Sequence, residues 1–81
     1  MLMTARQLRA ARVLVDLTQR EVARRTGLSE PTLKRIESDQ WGPGRSGHAT
    51  VAAIQAVLEA EGAEFLPAGE GHGEGVRMRS R

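Results

Sequence analysis

Apolar residues recur along the first three quarters of the chain with the spacing of helices, and near its end with the alternation of strands. Leu8, Ala11 and Val15, flanked by Leu14, mark the inner face of a first helix. Thr4-Ala5-Arg6-Gln7 ahead of it fits a capping box, with Thr4 covering an orphan amide and Gln7 reaching back. Thr18-Gln19-Arg20-Glu21 is a second capping box, and Leu17 before it is placed to staple against Val22. In the helix this box opens, Val22 and Ala23 face inward while Arg20, Arg24 and Arg25 face out. Gly27 then supplies the left-handed backbone of a tight helix stop. A third helix is expected over 29–38, with Leu33 and Ile36 as its apolar pair and Pro31 in its first turn. Its cap is Ser29 or Glu30, because the residue before a proline resists helical angles.

Residues 39–49, DQWGPGRSGHA, carry no periodicity and read as a loop, with Trp41 anchoring it to the core. Thr50 is the expected cap of a fourth helix, whose stripe of Val51, Ile54, Val57 and Leu58 ends at Gly62. Glu64-Phe65-Leu66 and Val76-Arg77-Met78-Arg79 are short strand candidates joined by the turn-rich run PAGEGHGEG. The expected fold class is therefore mainly α: four helices followed by a short C-terminal β-hairpin or strand pair. Residues 1–62 form the helical domain and residues 63–81 a strand-bearing tail, which the glycines would equally permit to be disordered.

Composition narrows the chemistry. The chain has 81 residues, no cysteine, and only Trp41 and Phe65 as aromatics, so its core rests on Leu, Val, Ile and Ala. A core this thin often needs a second subunit to complete it. Without cysteine there is neither a disulfide nor a thiolate for metal or redox work, which suits a reducing cytoplasm. No signal peptide is expected at Met1–Arg6, and no apolar run approaches membrane-spanning length. An enzyme is not expected: there is no supported Ser/His/Asp arrangement and no phosphate-binding glycine loop. Glu70, His72 and Glu74 sit on a glycine segment with nothing to fix ligand geometry, and His48 is isolated, so neither a metal nor a cofactor is expected. The net charge of +2 hides an asymmetry: residues 1–50 carry nine bases against five acids, and residues 51–81 carry three against five. Eight of those nine bases are arginine, suited to phosphate and guanine, although an arginine-rich helical surface alone has the same composition.

The informative unit runs from Thr18 to Ser38. A short helix, a glycine-containing break and a second capped helix have the spacing of a helix-turn-helix. The run LRAARVLVDLTQREVARRTGLSEPTLKRIES resembles the Cro/CI-type (XRE) helix-turn-helix family. The matching positions are Leu8, Arg12, Leu17-Thr18-Gln19, Val22-Ala23, Gly27-Leu28-Ser29, Thr32-Leu33 and Ile36-Glu37, with the fourth helix similar more loosely. The family usually has five helices and a short glycine-led loop after the third; here a longer loop follows Ser38 and the C-terminal segment reads as strands.

The resemblance implies a sequence-specific regulator of double-stranded DNA, by family default a repressor, with helix 29–38 in the major groove. It places Glu30, Pro31, Lys34 and Arg35 at base edges. Arg35 suits O6 and N7 of guanine, while Glu30 suits cytosine N4 or simply the positive end of its helix. Thr18, Gln19, Ser29 and Thr32 fall at phosphate positions, with Arg45 as an extra phosphate contact or a plain solvated arginine. Arg12 and Glu37 match a pair that forms a salt bridge in the family. Because palindromic sites are read by dimers, a homodimer is expected. Phe65, Leu66, Val76 and Met78 are the candidate dimerisation residues, through an apolar face or an open strand edge. Arg77, Arg79 and Arg81 alternate onto the opposite face as a solubilising edge. The rival reading is an antitoxin or adaptor whose main partner is another protein.

Overall fold

A computed structural model of the chain describes residues 3–38 and 47–79. Its order is α1 (Ala5–Leu14), α2 (Gln19–Thr26), α3 (Glu30–Ile36), α4 (His48–Ala60), β1 (Ala63–Leu66) and β2 (Gly75–Met78). The described residues are thus mainly α, four helices with a two-stranded antiparallel sheet at the C-terminal end.

Local chemistry explains the first three helix starts. Thr4 and Thr18 each accept from the backbone N–H three residues on, and Gln7 and Glu21 each accept in return from the cap's N–H. Ser29, not Glu30, caps α3: its hydroxyl accepts from the Thr32 N–H at 3.2 Å, with Pro31 in the first turn. Asp16, in the α1–α2 turn, has a φ of 61°, a conformation that Asp tolerates better than most side chains. Gly27 closes α2 at a φ of 77°, and the Leu28 N–H reaches back to the Ala23 carbonyl at 3.1 Å.

The fourth start departs from expectation. Gly47 is the N-cap of α4, and Thr50 lies inside the first turn, its own N–H donating to the Gly47 carbonyl at 3.0 Å. A threonine whose amide is already committed to the helix cannot be its cap, and Ala49 favours continuation.

Leu8, Val22, Leu33, Ile36, Ile54 and Leu58 are the fully buried centre, drawn from all four helices, with Met3 and Ala63 sealing its margin. Leu14 and its neighbour Val13 stay exposed. The strands begin one residue earlier than the alternation suggested and pair Ala63 with Met78, Glu64 with Arg77, Phe65 with Val76, and Leu66 with Gly75.

The hairpin's apolar face is partly covered by the chain's own core. Ala63 is buried, and Phe65 and Val76 pack on the chain's own core, so of that face only Met78 is exposed. Gln7 holds the hairpin to α1. Its buried side-chain amide donates to the Leu66 and Gly75 carbonyls, each at 3.1 Å, while its oxygen accepts from Thr4. Arg77 and Arg79 make specific contacts beyond solubilising an edge: Arg77 pairs with Glu64 at 2.7 Å, and Arg79 donates to the Glu59 carbonyl at 3.2 Å. Trp41, Arg45 and Arg81 lie outside the described residues.

Candidate nucleic-acid interface

The turn Gly27-Leu28-Ser29 sets α3 against α2 so that one face of α3 is core and the other is surface. Leu33 and Ile36 are fully buried, whereas Pro31, Lys34 and Arg35 are exposed. Three and four residues apart are neighbours on a helix, so this division follows from the sequence spacing. A helix about 10–12 Å across with its side chains fits a major groove about 12 Å wide.

The far end of α3 is fixed by charge. Arg12 of α1 meets Glu37 bidentately, Nε to Oε2 at 2.9 Å and Nη2 to Oε1 at 3.1 Å. Glu37 is 4% exposed and Arg12 16%, so this is an interior pair, and Nη1 of Arg12 donates to the Leu17 carbonyl at 3.0 Å. Two further side chains converge on the same residue. Gln19 at the start of α2 donates to Glu37 Oε1 at 3.2 Å, and Arg9 of α1 donates to the Glu37 carbonyl at 2.9 Å. Glu37 therefore joins the end of α3 to α1 and to the start of α2. Among the described residues, no buried side-chain polar atom is left without a partner.

Four of the expected phosphate residues, Thr18, Gln19, Ser29 and Thr32, are already engaged within the fold. The Thr18 hydroxyl accepts from the Glu21 N–H and donates to the Glu21 carboxylate at 3.1 Å. The Thr18 backbone N–H, then the hydroxyl, hold the Glu21 carboxyl below its ordinary pKa, with Arg25 and Arg24 adding to the effect. The hydroxyls of Ser29 and Thr32 lie 2.8 Å apart. One side-chain hydrogen of Gln19 is directed inward to Glu37 and not outward, as its first-turn position had suggested.

At the opposite end of α3, Glu30 faces Arg20 of α2, Oε2 to Nε at 3.6 Å. Sequence reasoning missed this pair, as it missed Arg9. Arg9 carries a signal in hindsight, since it sits three residues before Arg12 on the same helix face. Arg20 and Glu30 are separated by the rest of α2 and the turn after it, and carry none.

Among the described residues, no group of three or more His, Asp and Glu is placed to hold a metal ion. Within the same residues, no helix is long and apolar enough to cross a membrane. No curated protein matches the chain. A family model described as a helix-turn-helix domain matches residues 4–66, the span from the first cap to the end of β1. That match agrees with the Cro/CI-type resemblance and suggests a DNA-binding regulator. The chain belongs to the helix-turn-helix domain family.

Proposed function

We propose that the chain is a sequence-specific transcriptional repressor that reads double-stranded DNA as a homodimer, with α3 and its flanks in the major groove. The observation that carries this reading is the division of α3: its apolar pair is wholly buried while Pro31, Lys34 and Arg35 are presented outward. Arg35 pairs with guanine O6 and N7, Lys34 takes a neighbouring base edge or phosphate, and Pro31 touches a thymine methyl. Glu30 completes the base-reading set. Phosphates are held by backbone N–H groups at the start of α2, aided by the second hydrogen of the Gln19 amide and by Ser29, Thr32 and Arg45; Thr18 joins them by exchanging its Glu21 partner for phosphate.

Dimeric readers place equivalent helices about 34 Å apart, one turn of DNA. The chain measures 36 × 30 × 18 Å, so two copies side by side suit that separation. Self-association draws on the outer strand edges, on Leu66 and the exposed Met78, and on the surface that the half-buried Phe65 and Val76 leave accessible.

The test is selection of bound sequences from random duplexes, repeated with Arg35→Ala. The substitution is expected to cost about 1–3 kcal/mol of discrimination at one base pair. An unchanged preference removes Arg35 from the reading set.

One observation favours a protein partner instead: Val13 and Leu14 are exposed side by side at the end of α1. DNA binding through several phosphates weakens steeply as salt rises, whereas an apolar protein interface barely responds. Salt titration of the principal complex therefore separates the two readings.

A further inference from the structure

Arg20, paired with Glu30, is the residue that the reading above leaves unused. It lies where the starts of α2 and α3 come together, and both side chains are accessible: Arg20 is 80% exposed and Glu30 41%. A carboxylate at the leading end of a recognition helix is an anomaly for a polyanion-binding surface, because every nearby phosphate repels it. Two things make it tolerable. The positive end of α3 favours an acid in its first turn, and a guanidinium stands 3.6 Å away. Arginine is suited to this work, being always charged and planar, with donors left over after it meets one carboxylate oxygen.

Resting on the DNA-binding reading, we propose that Arg20 is a positioning residue for base readout. It neutralises Glu30 and aims its free carboxylate oxygen so that Glu30 accepts from the N4 amino group of one cytosine. Glutamate is an acceptor only, and in the major groove the cytosine amino group is a donor with no acceptor beside it on the same base. The pair therefore selects cytosine and rejects bases that present oxygen or N7 at that spot. Arg20 makes no base contact in this arrangement. Its influence reaches the sequence through Glu30 alone.

The experiment uses the full chain and a library of random-sequence duplexes, followed by titration of single labelled duplexes differing at the selected cytosine. The variants are Glu30→Gln, Arg20→Ala, Arg20→Lys and the double variant Arg20→Ala/Glu30→Gln. The exposure of both side chains keeps these changes clear of the core, and circular dichroism verifies the helix content of each.

Glu30→Gln is expected to move the preference at that one position from cytosine toward adenine, which glutamine reads bidentately. Arg20→Ala is expected to reduce the cytosine preference there by about tenfold, within the range a single base contact carries, and to leave the other positions unchanged. Arg20→Lys keeps most of it. In the Glu30→Gln background, removing Arg20 no longer alters the preference. If Arg20→Ala weakens all sequences alike and leaves the cytosine preference intact, Arg20 is a plain phosphate contact and the proposal is overturned. If it alters preference equally with and without Glu30, Arg20 reads the base itself and the proposal is again overturned. A wild-type chain that enriches no sequence at all overturns the DNA reading and this inference with it, whereas enrichment that is indifferent to Glu30 and Arg20 overturns this inference alone.

Discussion

Two parts of the molecule are tied to α1 by different chemistry. The α2–α3 unit is held through charge: Arg9 and Arg12 on α1 close on Glu37, with Gln19 as a third donor. The β1–β2 hairpin is held through a neutral amide, Gln7, and by the packing of Phe65 and Val76 on the core. An apolar contact holds strongly but allows sliding, whereas a bidentate guanidinium–carboxylate pair also fixes an angle. In the DNA-reading role proposed above, the angle that matters is that of α3, and charged contacts converge at its end. The hairpin needs only to stay in place over the core.

That contrast can be broken first at its strongest point. Glu37→Ala leaves Arg12 partly buried without its carboxylate and is expected to destabilise the fold by about 3–5 kcal/mol in urea unfolding. A loss below about 1 kcal/mol would mean the pair behaves as an exposed one. Gln7→Ala is expected to cost less, about 1–3 kcal/mol, by stranding the Leu66 and Gly75 carbonyls. Hydrogen exchange in that variant should quicken in the hairpin and at the first turn of α1, while α3 keeps its protection; uniform loss across the chain would show that both ties belong to one unit.

The smallest effect concerns Glu21. Its pKa is lowered in the folded chain, so its contribution is fully present above the ordinary glutamate range. It is lost as pH falls through the depressed value. A carbon-detected titration of the Glu21 carboxyl should therefore give a midpoint below that of an ordinary glutamate, and Thr18→Ala should return it toward normal.

Much of this was legible in the residues, and the reason is locality. Both capping boxes, the Gly27 stop and the Leu33/Ile36 pair are relations across three or four positions, and each appears in the structure. The N-cap of α4 was misplaced because Thr50 advertises a capping hydroxyl, whereas Gly47 caps with backbone alone. The strands were placed one residue late because Ala63 and Gly75 have little strand propensity of their own.

What escaped the sequence is the second task of side chains that already had a first. Gln7 reads as a capping residue, and its other partners lie 59 and 68 positions away. Gln19 reads as an outward first-turn amide, yet it reaches Glu37. For Arg20 and Glu30, each alone is an ordinary charge on a helix start; only the tertiary approach of α2 and α3 makes them a pair.

The convergence on Glu37 has a kinetic consequence. If α3 reads DNA as proposed, a helix locked by its own scaffold gives up little freedom on docking, so few encounters are wasted waiting for it to swing into pose. Loosening that lock, with every groove-facing side chain left intact, should make arrival slower and residence shorter on any duplex.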